Sequence, residues 1–269
     1  MMDKALRDRL DTSRFRIIDA HAHLGYYGPF DIPGDCMDDL VEQMDRTGVE
    51  KMAISPMIAL GLDVPYGNDM TEAFLQRHPG RFIGMAVVNG NRPEEILPEL
   101  ERCFTKMHMS MIKLHPAEAN CPMTSPAYDR VYGFANEHRL AILNHDWQSP
   151  ALMEKLVRKY PNVQLIQAHS AGNWDGHRQD DYFRVARDNE NAFVDIVASP
   201  IFYDALEKLI PLAGEDNILF GSDAPFLSLS FEVGKVMMAD LSDEIKQKIF
   251  ATNFVRLMSR TSRPLDASL

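Results

Sequence analysis

Five residues able to hold and use a metal ion recur where short apolar runs end. They are His21 and His23 in IIDAHAHLG, His145 in AILNHDW, His169 in LIQAHSAG and Asp223 in ILFGSDAPF. Side chains at i and i+2 of an extended segment point to the same side. The His21-Ala22-His23 spacing would therefore turn two imidazoles towards one cation. A further histidine and a carboxylate from distant runs complete an N/O donor set with room for water. Such a set suits a divalent ion, zinc first, with manganese or another transition metal as alternatives and one or two ions per site. A lone HxH is weak evidence; the five together are not. Lys113 and His115, in MIKLHP, end another run in the same way. Three more positions are read as substrate contacts: His115, Trp147 two residues past His145, and His177 in the loop NWDGHRQDD.

The other histidines are read as structural. His78 and His138 fall at helix ends, where an imidazole suits the helix dipole. His108 lies among Met107, Met109 and Met111, which read as gap-filling core methionines rather than a soft-metal site.

The elements that must position these groups alternate along the chain. Eight apolar runs too short for helices read as strands: Phe15–Ala20, Lys51–Ser55, Phe82–Val88, Met111–Leu114, Leu140–Asn144, Val163–Ala168, Ala192–Val197 and Asn217–Gly221. Between them lie helical stretches with clear punctuation. Ser125-Pro126 and Ser149-Pro150 place an N-cap serine before a first-turn proline, and Ser242 precedes DEIKQKIF. Gly48, Gly80 and Gly214 follow helical stretches as C-terminal caps. Eight such repeats predict a closed (β/α)8 barrel, and 269 residues is close to the roughly 250 typical of one. The prediction is a single domain over 1–269, with a short extension at 1–14 and a tail at 263–269. Such barrels draw catalytic groups from the C-terminal ends of several strands, which is where the five residues fall.

Composition limits the function classes. The net charge is -11, with 39 acidic against 28 basic residues and no Lys/Arg-rich run, so a nucleic-acid partner is not expected. No apolar run approaches the roughly 20 residues of a membrane span. The charged opening MMDKALRDRL has no apolar core of a secretory signal. Cys36, Cys103 and Cys121 cannot all pair, which predicts a reducing, cytoplasmic setting. A small-molecule substrate is the expected partner, and a homodimer the base-rate assembly.

The motifs DAHAHLG, IKLHP, ILNHDW, YPNVQLIQAHSAG, ILFGSDAPF and ATNFVRLM run in order along nearly the whole chain. Together they resemble the amidohydrolase-2 group, related to aminocarboxymuconate-semialdehyde decarboxylase. The resemblance implies that His21, His23, His145 and Asp223 bind the main metal. It makes His169 either an acid/base or a ligand of a second ion, and leaves Lys113 as either a carboxylated bridge between two ions or a cationic anchor. By their place in the loops after the first, fifth and sixth runs, Tyr26, Tyr27, Phe30, Trp147 and Trp174 are read as pocket walls or as packing lids. The seventh run, FVDIVASP, carries Ile196 where relatives often have a hydroxyl. The primary expectation is hydrolysis of an ester, lactone or amide by a water that the metal acidifies, with Asp223 handling the proton. The alternative is a lyase that decarboxylates an aromatic or unsaturated acid, with Lys113 and Arg178 as anchors. A third reading, a barrel that only binds a ligand, is disfavoured by the retained Asp223.

Overall fold

Eight strands pair in parallel, each with the next in the chain, in the order β1 to β8. They are β1 Ile17–Leu24, β2 Val49–Pro56, β3 Phe82–Val87, β4 Met111–Leu114, β5 Ala141–Asn144, β6 Gln164–Gln167, β7 Ala192–Asp195 and β8 Ile218–Leu219. The computed structural model describes residues 10–27, 32, 37–169, 180–197 and 205–265. Backbone hydrogen bonds close the ring: Ala20 N–H donates to Phe220 O (2.9 Å), Asp223 N–H to His21 O (2.8 Å) and His23 N–H to Ala224 O (2.8 Å). Helices alternate with the strands, as a (β/α)8 barrel requires.

The predicted punctuation is largely in place. Ser149 and Ser242 cap the helices Pro150–Lys159 and Asp243–Gln247, accepting from Leu152 N and Ile245 N. Gly48, Gly80 and Gly214 take φ of 78°, 81° and 77°, the left-handed conformation that ends a helix cheaply only for glycine. Ser125-Pro126 differs. They form a turn, and the helix starts three residues later, at Tyr128.

Side-chain parity divides each strand between two cores. Inside the barrel lie Ile18, Ala20, Ala53, Met85, Met111, Leu143, Ile166, Phe193 and Leu219. Ile17, Ala22, Leu24, Ile112, Ile142, Leu165 and Val194 face outward, beneath the helices. Phe254, Leu257 and Met258 of the terminal helix Asn253–Ser259 join the interior set and form the floor. Asn253 anchors that helix by donating to Ile218 O and Glu215 O, both at 2.8 Å.

β1 is longer than its apolar run, because both histidines lie on the strand itself, fully or nearly fully buried. Ile18 and Ala20 face inward, so strict alternation would send Ala22 and Leu24 inward and both histidines outward. A register irregularity between Asp19 and Ala22 against β2 inserts one extra residue and reverses the parity. Bulges beside active sites re-aim side chains in this way. His21 and His23 thereby face the barrel interior at its C-terminal end.

Candidate metal centre

Three further groups arrive by plain alternation. Lys113 follows inward-facing Met111, His145 follows Leu143, and Asp195 follows Phe193. His169 needs another device, since it comes directly after inward-facing Ala168. Its φ of 62° turns it back, and Asp223 carries a similar φ of 59°. A left-handed conformation costs a residue with a Cβ roughly 1–2 kcal/mol. Two such residues at one site mark backbone strain gathered where the polar side chains meet.

The donor atoms of His21, His169 and Asp223 all lie within 4.8 Å of one another. His21 Nε2 is 3.4 Å from Asp223 Oδ1, and His23 Nε2 is 3.0 Å from the same oxygen. Lys113 Nζ sits 2.6 Å from His21 Nε2 and is wholly buried. His145 Nδ1 is 3.0 Å from His169 Nε2, and its ring stacks on His115 at 3.8 Å between centroids. The converging trio thus includes His169, with His23 in contact with Asp223 and His145 in contact with His169. The rings of His21 and His23 are 5.2 Å apart, as the shared face of an HxH pair predicts.

Electrostatics prepare these groups as ligands. Burial drives the His21 pKa well below its ordinary value, helped by the Lys113 charge, and burial also lowers His23, His145 and His169. All are neutral near pH 7. Burial by itself would raise Asp223, but the hydrogen bond with His23 and the imidazoles of His169, His23 and His21 around it outweigh burial and hold the carboxyl well below the usual carboxylate range. Burial brings Lys113 down to about 8, against the opposing pull of Asp223 and Asp195. Neutral imidazoles and an ionised carboxylate are the protonation states a metal requires. His169 Nδ1 is moreover a buried nitrogen with no hydrogen-bond partner among the described residues. Unpaired buried polar atoms are rare, and a ligand position accounts for one. The residues present therefore fit a divalent ion.

Second-tier contacts hold the trio. Asp195 accepts from His21 Nδ1 (2.8 Å) and from the backbone N–H of His169 (2.7 Å). Asp19 accepts from His21 N (2.9 Å), Ser222 N (3.1 Å) and the Ser222 hydroxyl, tying β1 to the turn that carries Asp223. Neither aspartate was singled out by spacing. Asp195 obeys the same strand-end rule that found the others, but it is embedded in the apolar run FVDIV. At the rim, Phe226 stacks on His23 at 5.0 Å, and the Tyr27 hydroxyl donates to Glu118 Oε1 at 2.6 Å.

The remaining expected contacts separate. His115 stands at the rim, stacked on His145. Trp147 is fully buried in the outer core, and its indole N–H donates to Ile166 O at 3.2 Å, so it offers no face to a ligand. β5 ends at Asn144 and the chain bends at His145, so adjacency to His145 does not carry Trp147 into the site. Tyr26 is exposed. His177, Arg178, Phe30 and Trp174 lie outside the described residues, as do parts of the extension and tail. Met107, Met109 and Met111 are core residues as expected, and His78 and His138 cap helix C-termini.

Residues 18–258 match the sequence profile of the amidohydrolase family. The chain belongs to that family. Solved structures similar to this amidohydrolase-family chain include a 2,6-dihydroxybenzoate decarboxylase in complex with 2,6-dihydroxybenzoate. It is 17% identical, with a TM-score of 0.72 over 91% of this chain and 99% of its own. A dihydroxybenzoic acid decarboxylase from Polaromonas sp. JS666, with bound manganese and the inhibitor 2-nitroresorcinol, is 18% identical, with a TM-score of 0.71 over 91% and 97%. A 5-carboxyvanillate decarboxylase from Sphingomonas paucimobilis is 14% identical, with a TM-score of 0.70 over 91% and 99%. At these identities the likeness speaks for the fold. Among the described residues, no helix is long and apolar enough to cross a membrane.

Proposed function

We propose that this amidohydrolase-family protein is a metal-dependent carboxy-lyase acting on a small aromatic or unsaturated carboxylic acid. The observation that carries this reading is the placement of a buried lysine amine, Lys113 Nζ, 2.6 Å from His21 Nε2 and inside a metal-ready cluster. A substrate carboxylate needs cationic partners, and a lysine beside a divalent ion supplies two. The decarboxylases that share the fold support the same class of substrate.

His21, His169 and Asp223 would hold the ion, with His23 and His145 beside them. Manganese in the Polaromonas enzyme makes manganese as reasonable an occupant as zinc for these N/O donors. When bound, the ion supplies a Lewis acid that polarises a substrate oxygen. Lys113 holds the substrate anion against it. Asp223, ionised at rest, takes a proton from solvent and delivers it to the carbon bearing the carboxylate. The bond to that carboxylate breaks, its electron pair stays with the carbon, and CO2 leaves, so one proton is consumed per turnover. His115 and the Phe226 ring stand at the rim where a planar acid would enter.

Hydrolysis of an ester, lactone or amide is the second reading. The ionised state of Asp223 favours it, since an ionised carboxylate can take a proton from water. One experiment separates the two. Protein reconstituted with manganese or zinc is offered hydroxylated benzoates and unsaturated acids while released CO2 is followed, and esters, lactones and amides in a pH-stat. Chelator-sensitive CO2 release is expected. Hydrolysis without CO2 release would replace the first reading with the second.

A further inference from the structure

Asp195, the last residue of β7, is fully buried and its carboxylate is forked between β1 and the segment just past β6. Oδ2 lies 2.8 Å from His21 Nδ1. Oδ1 accepts the backbone N–H of His169 at 2.7 Å and that of Val197 at 3.2 Å. We propose that Asp195 is the positioning residue of the metal centre, fixing the tautomer of His21 and the turned backbone of His169 together. The inference rests on the metal-centre reading above.

A neutral histidine carries one N–H, and a carboxylate can only accept. With its proton committed to Asp195, His21 leaves Nε2 bare and facing Lys113 Nζ and Asp223. A bare Nε2 is the form that binds a metal, and carboxylate–histidine pairs of this kind orient ligands in metal sites generally. His23 is held differently. Its Nε2 lies 3.0 Å from the Asp223 carboxylate, which can only accept, so its proton sits on Nε2 and its Nδ1 is left to the Ser55 hydroxyl at 3.1 Å.

The second arm acts on the main chain. His169 follows an inward-facing residue and enters the site only because its φ is 62°, and the hydrogen bond to Asp195 Oδ1 holds the N–H of that turn. Little slack surrounds the arrangement. A Cβ at Gly221 would lie 3.0 Å from the His21 Cβ and 3.6 Å from the Asp195 Cβ. One carboxylate thus serves two of the three converging donors, neither of them on its own strand.

Asp195→Asn makes the claim testable, because an amide of the same shape offers one accepting oxygen and one donating NH2. The backbone N–H groups of His169 and Val197 are fixed donors and retain the oxygen. The NH2 then faces His21, whose proton moves to Nε2, where it blocks the metal. The test uses the full chain labelled with 15N-histidine, metal-free and zinc-loaded, with zinc affinity measured by competition against a chromophoric chelator. The expected results are an Nδ1–H tautomer for His21 in the parent protein, an Nε2–H tautomer in Asp195→Asn, and zinc binding weakened about 10–100-fold at unchanged fold. A parent protein with His21 protonated at Nε2 would overturn the proposal, and that spectrum decides even if the variant does not fold. So would a folded variant with the parent tautomer and zinc affinity within about threefold. If the parent protein binds neither zinc nor manganese, the metal-centre reading fails. The tautomer of metal-free His21 still reports separately on the hold exerted by Asp195.

Discussion

The same strands build two unlike halves of the barrel interior. Towards the floor, Ile18, Met111, Leu143, Phe193 and Leu219 pack against Phe254 and Leu257 as an apolar plug. Two to four residues further along those strands or just past their ends, the inward positions are His21, Lys113, His145, Asp195 and Asp223. The floor is stabilised by removing apolar area from water, and its side chains need no particular partner. The mouth buries polar and ionisable groups, which is tolerable only while each is hydrogen-bonded or charge-paired. Stability therefore resides in the floor and function in the mouth, and substitutions at the two ends should separate these properties.

The sharpest break should come from Asp223→Asn. The amide keeps the shape but gives up the ionised carboxylate, and general acid–base groups contribute about 10²–10⁴-fold to rate. Turnover should fall by at least about 100-fold, with the thermal midpoint of the metal-free protein little changed. Retention of near-full turnover in a metal-loaded variant would remove Asp223 from the chemistry. The converse substitution is Phe254→Ala. Truncating a buried phenylalanine costs about 3–5 kcal/mol, so denaturant unfolding should shift by that amount while kcat per folded molecule is kept. A loss of kcat at full stability would deny the division between floor and mouth.

A smaller effect belongs to the rim. The hydrogen bond to Glu118, followed by burial and the charge of Glu118, raises the Tyr27 pKa to about 12 from 10.0. A phenol whose pKa is higher in the folded state contributes stability that is complete below the unfolded value. That contribution is lost as pH rises from about 10 to about 12. Unfolding midpoints compared across that window should fall less steeply for Tyr27→Phe than for the parent protein. Identical slopes would mean that the Tyr27–Glu118 bond contributes nothing in solution.

The two halves also differ in how far they could be read from sequence. Barrel strands stand out as apolar runs, so all eight were legible. The metal-type residues stood out because each interrupts such a run at its end. Devices that act through space were not legible. The bulge in β1 is a mismatch with β2, and no residue type announces it, so the run was read as ending at Ala20 although the strand reaches Leu24. The turn at His169 is a backbone angle held by a carboxylate 26 residues away. Nothing near Asp195 in the chain marks it, because its partners, His21 and His169, are distant in sequence. Trp147 misled in the opposite way, since its nearness to His145 in sequence does not survive the change of backbone direction after β5.

The central claim is that the mouth of the barrel is a metal centre. Elemental mass spectrometry on protein purified without chelator, and again after reconstitution with manganese or zinc, tests it most directly. About one equivalent per chain is expected, lost on chelation together with activity. Two equivalents would point to a bridging Lys113 and strengthen the hydrolytic reading. Metal content that stays near zero after reconstitution would contradict the account.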